Sequence, residues 1–273
     1  MNLKARHNLN FTIGKQFVNF GGYEYYVNSI RVREFSEFNN LLTAYQAGIS
    51  GNWQVNPDHE LCFQIVNNRN GNDEDIYPTG LPEGTAKAKI PFMYTVNWNS
   101  YYLDKSLQLR YATAVGQQTR KRYSYYFTCG NTYEKGPLLT YLDVMYTRQG
   151  IDQHGVVSRL PGTPHTAMNT EYLSIIGDVD YRVHPQWNVY VKGAYETARV
   201  YKSNGDFRKG MYRRSWNAQS SVEFFPFKQL DLFVFVLYTY RGVILEKAAT
   251  RMGAIEPDTH RISLGLVYSI PVF

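Results

Sequence analysis

Apolar and polar positions alternate with a period of two through most of this chain. The pattern is clearest at Ile90, Phe92, Tyr94, Val96 and Trp98, which alternate with Pro91, Met93, Thr95 and Asn97. The same alternation returns at 173–183 and again at 261–270. A period of two predicts β-strands, and one apolar face is typical of an antiparallel sheet.

Twelve strands are predicted from this alternation and from the turn residues between the apolar runs. They lie at 2–15, 40–53, 59–68, 88–99, 105–118, 121–130, 136–149, 169–184, 186–201, 211–226, 228–242 and 258–272. Most are far longer than the ~5–6 residues usual in soluble sheets, and long enough for tilted membrane spans. No stretch of the sequence approaches the ~20 apolar residues of a spanning helix.

The predicted connections alternate between short and long. Asn56-Pro57-Asp58 and Pro226-Phe227-Lys228 are short, whereas the long ones lie at 16–39, 69–87, 150–168, 202–210 and 243–257. Only 119–120 breaks the rhythm, because a long connection is expected there. Short periplasmic turns and long extracellular loops are typical of outer-membrane barrels. We therefore predict an all-β fold, a single transmembrane antiparallel β-barrel domain over 1–273, in the cell outer membrane with outer-membrane lipid around it.

Composition agrees with that interpretation. The chain has 24 tyrosines, whose apolar rings and polar hydroxyls suit a membrane–water interface. Trp53, Trp98 and Trp187 all fall at short-turn ends, as an aromatic girdle predicts. The net charge is +6, but the basic residues do not cluster on one element, so no nucleic-acid partner is expected. Cys62 and Cys129 lie three predicted strands apart, too far for a disulfide.

Catalytic chemistry is not predicted. Ser203-Asn204-Gly205 matches part of the motif of outer-membrane phospholipases, but Tyr201 stands where the activating histidine would be. A serine without a base is a poor nucleophile, so this tripeptide is predicted to be an ordinary turn. None of the six histidines shares metal-ligand spacing with another. We therefore expect no enzyme activity, no cofactor and no metal.

Several segments carry a resemblance to a known family. They are Ile13-Gly14-Lys15-Gln16, Gly21-Gly22-Tyr23-Glu24-Tyr25, Arg33-Glu34-Phe35-Ser36-Glu37-Phe38, Tyr94-Thr95-Val96-Asn97-Trp98, Tyr141-Leu142-Asp143-Val144-Met145-Tyr146 and Ser269-Ile270-Pro271-Val272-Phe273. Taken together, the chain resembles the phosphate-selective porin O/P family. The resemblance implies a sixteen-stranded, homotrimeric porin that is a passive, water-filled channel for small hydrophilic solutes. It also implies that one long loop narrows the pore and that basic residues line the path of small inorganic or organic anions.

The connection at 16–39 is the candidate pore-constricting loop. Arg31 and Arg33 would share one side of an extended segment there, beside Glu34. On the wall, parity places Arg110, Arg182 and Lys192 in the lumen. Basic side chains in a ring favour anions, so these six residues are the candidate pore-lining site and a modest anion preference is expected.

Two alternatives stay open for this site. Seven basic and six acidic residues share the predicted lumen face, so the charges could simply satisfy one another. The basic ones are Lys4, Arg6, Arg110, Arg182, Lys192, Arg241 and Arg261, and the acidic ones are Asp143, Asp178, Asp180, Glu196, Glu223 and Asp231. The alternative function is a barrel whose loops serve binding or adhesion, with little conductance.

The N-terminus also carries an expectation. Residues 1–6 contain no apolar signal-peptide region, although a barrel must be exported. In the family, the constricting loop follows the fifth strand, whereas 16–39 follows the first predicted strand, which would run outward. We therefore expect the chain to be the C-terminal part of a sixteen-stranded porin, with four strands upstream. The alternative is a complete twelve-stranded barrel, closed by a ladder between 8–13 and 262–270.

Overall fold

The computed structural model describes residues 2–6, 8–26, 45–68, 77, 79–153, 155–163, 165–227 and 232–268. In this part of the chain, thirteen antiparallel strands form one sheet in sequence order. They are β1 (Asn2–Arg6), β2 (Leu9–Phe17), β3 (Tyr45–Asn56), β4 (His59–Asn67), β5 (Phe92–Tyr102), β6 (Leu107–Thr119), β7 (Arg122–Lys135), β8 (Leu138–Ile151), β9 (Met168–His184), β10 (Trp187–Val200), β11 (Gly210–Phe224), β12 (Leu232–Leu245) and β13 (Thr259–Tyr268). Two short helices, α1 (Tyr23–Tyr26) and α2 (Lys247–Thr250), and a 3-10 turn at Val157–Arg159 lie in the connections.

The predicted all-β antiparallel architecture is confirmed, but the first predicted strand was wrong. The segment 2–15 is not one strand; it is the hairpin of β1 and β2, in which Arg6 pairs with Leu9. Asn8 lies in the turn, where Asn is favoured because its side chain and αL tolerance suit tight turns. The strand that precedes the 16–39 connection is therefore β2, and β1 runs in the opposite direction.

The rhythm of the connections is confirmed. We call the edge of the sheet with the connections 57–58, 103–106, 136–137 and 185–186 the short-turn rim, and the opposite edge the long-loop rim. Only residues 120–121 join β6 to β7 at the long-loop rim, the exception that the sequence predicts. β7 extends to Lys135, beyond the predicted end at residue 130, because the turn forms at Gly136, whose φ of 58° favours glycine.

The two faces of the sheet differ in polarity. On β5, Phe92, Tyr94 and Val96 are 41%, 53% and 45% exposed, whereas Thr95 and Asn97 are 2% and 0% exposed. We call the face of Thr95 and Asn97 the inner face, and the other the outward face. Exposed apolar side chains on one face and buried polar ones on the other reverse the arrangement of a soluble domain, so the outward face suits lipid.

Trp53 and Trp98 give the outward face an aromatic band near the short-turn rim. Both pair in register with Leu61 of β4, so they lie at the same level of the wall. Trp187 begins β10 at the same rim and stacks on Phe224, with ring centroids 4.7 Å apart. This is the predicted girdle.

The sheet curves around the beginning of the 16–39 connection. Asn19 hydrogen-bonds to Gln64 of β4, whereas Glu24, five residues further on, forms an ion pair with Lys192 of β10. Five residues span at most ~18 Å, but strands six positions apart would lie ~29 Å apart in a flat sheet. The inner face is therefore concave, and the sheet wraps around this segment.

β1 and β13 are the two edge strands of the described sheet. β2 pairs with β1 on one side and β3 on the other, so the ladder between 8–13 and 262–270 is not formed by the described strands. Within the described residues, β13 pairs with β12 alone. Its outward side chains Ile262 and Leu264 are correspondingly 76% and 81% exposed. No helix in the described ranges has the length and hydropathy of a membrane span.

Candidate functional site

The first residues after β2 leave the strand and lie on the inner face. The Asn19 amide donates to Gln64 Oε1 on β4 at 2.7 Å, and Asn97 Nδ2 on β5 donates to Asn19 Oδ1 at 3.0 Å. Farther along, Phe20 packs edge-on against Tyr126 of β7, with ring centroids 5.8 Å apart. Phe20 is fully buried, so this part of the connection is packed against the wall rather than projecting from the rim.

Asp143 of β8 binds the start of α1. Its carboxylate accepts the backbone amide of Tyr23 at 2.9 Å and that of Glu24 at 2.8 Å. Helix N-termini leave amides without partners inside the helix, and a carboxylate satisfies them through charge-assisted hydrogen bonds. Gly22 lies so close that a Cβ atom there would fall 2.3 Å from Asp143 Cγ. Only glycine allows this approach.

Glu24 carries the contact onward to β10, two strands along the sheet from β8. Its carboxylate forms an ion pair with Lys192 Nζ of β10, and the two side chains are 0% and 1% exposed. Together, Asp143 and Lys192 hold residues 22–24 from two strands; we call Gly22, Glu24, Asp143 and Lys192 the latch. Removing one partner of a buried ion pair leaves the other charge buried without compensation, which is strongly destabilising. The pair therefore holds the segment in place only while both partners are present.

The structure places the candidate pore-lining residues in different surroundings. Lys192 lies on the inner face as predicted, but its charge is directed at Glu24. Arg110 is on the inner face of β6, where its Nε donates to Asn99 Oδ1 at 3.3 Å. Arg182 lies at the short-turn rim, donating to the Pro185 carbonyl at 3.0 Å and stacking 4.2 Å above the Phe225 ring. Arg31, Arg33 and Glu34 lie outside the described residues.

Three arginines cluster on the inner face near the long-loop rim. The sequence predicted two of them, Arg241 and Arg261, to face the lumen, but not Arg213. Arg213 of β11 and Arg241 of β12 share the carboxylate of Glu256, at 3.5 and 3.4 Å. Arg261 of β13 pairs in register with Thr239, two residues from Arg241 on the same face. Arg213 is two and four residues from the polar Ser215 and Asn217, so the period of two along the strand would have placed it on the same face as them.

Two hydroxyl groups accompany the arginine cluster. Ser215 Oγ and Thr239 Oγ1 are buried and have no hydrogen-bond partner within the described structure. A buried polar atom without a partner is unfavourable unless water or a solute satisfies it. Among the described residues, the inner face of β11–β13 thus brings together three arginines, the carboxylate of Glu256 and two buried hydroxyl groups.

The connection between β8 and β9 folds over the long-loop rim. Asp152, just after β8, accepts the Ser158 amide at 2.8 Å and the hydroxyl groups of Tyr172 and Thr170 at 2.5 and 3.1 Å. Burial raises the pKa of the Asp152 carboxyl, although these hydrogen bonds act to lower it. Around it, apolar side chains of three connections pack into one cluster that includes Val157, Phe207 and Ala249. These loops are therefore ordered against one another.

The segments with possible chemistry in the sequence form ordinary structure. Ser203 Oγ accepts the Lys209 amide at 2.8 Å, and Asn204 pairs with Phe207 across a turn that contains Gly205. Cys62 and Cys129 are both free, as predicted. Among the described residues, no group of three or more His, Cys, Asp or Glu side chains is placed to hold a metal ion.

Comparison with solved structures identifies the architecture. The outer membrane channel DcaP of Acinetobacter baumannii matches with a TM-score of 0.60 at 11% identity, covering 96% of this chain and 72% of that one. In-vitro folded OmpT, an outer membrane protein of Vibrio cholerae, matches with a TM-score of 0.57 at 12% identity, covering 98% and 86%. A trimer form of OmpT matches with a TM-score of 0.55 at 12% identity, covering 96% and 77%. The fold is therefore that of an outer-membrane β-barrel protein.

Comparison with protein families makes the assignment specific. The family phosphate-selective porin O and P matches residues 2–270, which is nearly the whole chain. The chain belongs to this porin family and is an outer-membrane protein. A search of curated protein sequences finds no match.

Proposed function

We propose that this porin is a passive, water-filled channel for small hydrophilic solutes with a modest preference for anions such as phosphate. The observation that carries the proposal is the polar inner face, above all the cluster of Arg213, Arg241 and Arg261, two of which pair with Glu256. Excess positive charge along a pore wall attracts anions over several ångströms, and guanidinium groups bind phosphate oxygens in pairs. The name of the family supports phosphate as one permeant.

The 16–39 connection is proposed to be the constriction. Its first part is packed on the inner face and held by the latch, so the path for solutes is narrowed at that level. Arg31, Arg33 and Glu34 remain proposed constriction residues, with Arg110 and Arg182 along the wall. Lys192 is better explained as an anchor, because its charge is neutralised by Glu24.

The assembly is proposed to be a homotrimer. The trimer form of OmpT from Vibrio cholerae supports this, since it shares the fold over 96% of this chain. An exposed apolar outward face would be covered partly by lipid and partly by neighbouring protomers.

The test of anion preference is the reversal potential in a salt gradient across a planar bilayer. The double variant Arg241→Gln/Arg261→Gln is compared with wild type and with Lys105→Gln/Lys135→Gln. The control removes two charges from exposed positions at the short-turn rim. We expect the first variant to shift the reversal potential toward cations and the control to leave it near the wild-type value. Equal potentials in all three proteins would contradict a role for the arginine cluster.

A further inference from the structure

The outward face changes character toward the long-loop rim of β8–β12. Tyr195 and Trp216 stack there with ring centroids 4.3 Å apart, above the apolar middle of the wall. Above them lie charged side chains: Glu171 pairs in register with both Arg148 and Arg199. An aromatic pair followed by arginines marks the level where a membrane changes from hydrocarbon to headgroups.

The charges in this band are tied together. Glu171 makes ion pairs with Arg148 at 3.8 Å and with Arg199 at 3.2 Å, and Arg214 pairs with Glu246 at 2.8 Å. Glu171 and Glu246 are therefore already paired with arginines. Neither carboxylate is free to neutralise other basic side chains nearby.

A cleft of about 830 Å³ opens directly beside this band. It lies between the start of β11, the end of β12 and α2, and its cations are Arg208, Lys209, Lys247 and Arg251. All four side chains are exposed. None of the four forms a salt bridge within the described part of the chain. Asp206 and the occupied Glu246 are the only acidic residues of the lining.

The cleft adjoins the outward face. Met211, in its lining, pairs in register with Arg199, and Glu246 binds Arg214; both arginines belong to the outward band. Band and cleft together hold seven basic residues, Arg148, Arg199, Arg208, Lys209, Arg214, Lys247 and Arg251, against three acidic ones, Asp206, Glu171 and Glu246. This excess of four is large beside a net charge of +6 for the whole chain.

We propose that this cleft binds phosphate groups on the headgroups of lipids in the outer leaflet. Phosphate satisfies the chemistry of the site, since arginine binds its oxygens in pairs and lysine adds a point charge. The lipid is favoured over free phosphate because the cleft stands at headgroup level and opens beside the lipid-facing aromatic pair. Acyl chains below a bound headgroup would lie along the apolar wall.

The test is a binding titration of the purified chain in neutral detergent, read by native mass spectrometry. The probes are a bisphosphorylated glycolipid, its dephosphorylated counterpart and inorganic phosphate. The variant Lys247→Gln/Arg251→Gln is compared with wild type and with Lys105→Gln/Lys135→Gln. Arg208→Gln/Lys209→Gln removes the cations of the opposite wall and serves as a second, independent variant.

We expect both cleft variants to bind the phosphorylated glycolipid ~30-fold more weakly, which is ~2 kcal/mol, and the control to bind as wild type does. The dephosphorylated glycolipid should bind all proteins equally weakly. The proposal is overturned if the cleft variants bind as tightly as wild type, or if removing the phosphates leaves wild-type affinity unchanged. Displacement of the glycolipid by an equal concentration of inorganic phosphate would overturn the assignment to lipid. None of these results depends on the ion selectivity of the pore.

Discussion

Replacing Lys192 with Met should release the beginning of the 16–39 connection from the wall. The change leaves the carboxylate of Glu24 buried without its cation, because both side chains are at most 1% exposed and water does not screen them. Removing one partner of a buried pair costs ~3–5 kcal/mol. Since the segment can leave the wall without unfolding the sheet, this cost should appear as easier local opening.

Amide hydrogen exchange reports that opening directly. The amides of Tyr23 and Glu24 are bonded to Asp143, so they exchange only when the segment leaves the inner face. At 1.4 kcal/mol for each factor of ten, we expect their protection in Lys192→Met to fall by roughly 10²-fold to 4 × 10³-fold. Peptides from the middle of β9 should keep wild-type protection, and Lys105→Met, an exposed lysine, should change neither region.

The double variant separates charge from packing. Lys192→Met/Glu24→Gln removes both charges of the ion pair, so its segment should be better protected than in Lys192→Met alone. Wild-type protection of Tyr23 and Glu24 in Lys192→Met would refute the latch. So would a double variant that is as poorly protected as the single one, since the loss would then come from packing and not from the ion pair.

Two further predictions concern long connections, one at Gly22 between β2 and β3 and one at Asp152 between β8 and β9. Gly22→Ala should lower the protection of residues 22–24 markedly, because its Cβ would meet Asp143 Cγ at 2.3 Å, whereas Gly177→Ala, which meets nothing within 4 Å, should be neutral by the same measurement. Because the pKa of Asp152 is raised, the folded 152–167 connection binds a proton more tightly than the unfolded one. The contribution of Asp152 to the stability of this connection should be full below the ordinary Asp pKa of about 3.9. It should decline as pH rises through the raised pKa of the folded state. Exchange of residues 155–163, corrected for intrinsic rates, should show that decline in wild type and a much weaker one in Asp152→Asn; equal pH profiles would contradict it.

The strands of this porin were predictable from sequence because apolar and polar residues alternate along each strand between the outward and inner faces. The alternation at 90–98 assigned Phe92, Tyr94 and Val96 to one face and Thr95 and Asn97 to the other, and the structure agrees. The hairpin of β1 and β2 was missed because Leu3, Leu9, Phe11 and Ile13 keep the same parity through the turn. A period of two carries no information about a two-residue reversal that preserves it.

The latch was not predictable in the same way. Parity placed Asp143 and Lys192 in the lumen, but Glu24 is 168 residues from Lys192 in sequence and lies in a connection without periodicity. Lys192 therefore looked like an anion-attracting residue, whereas the structure gives its charge to Glu24. Which inner-face charges attract solutes depends on what packs against each one, and that is a property of the folded loops.

The central claim is that the chain forms an open aqueous pore, and single-channel recording of the purified protein in a planar bilayer tests it most directly. A water-filled pore with a latched constriction should give steady steps whose current is proportional to voltage, with a reversal potential on the anion side in a salt gradient. Insertion without current steps would contradict the account and would favour a barrel whose loops serve binding or adhesion.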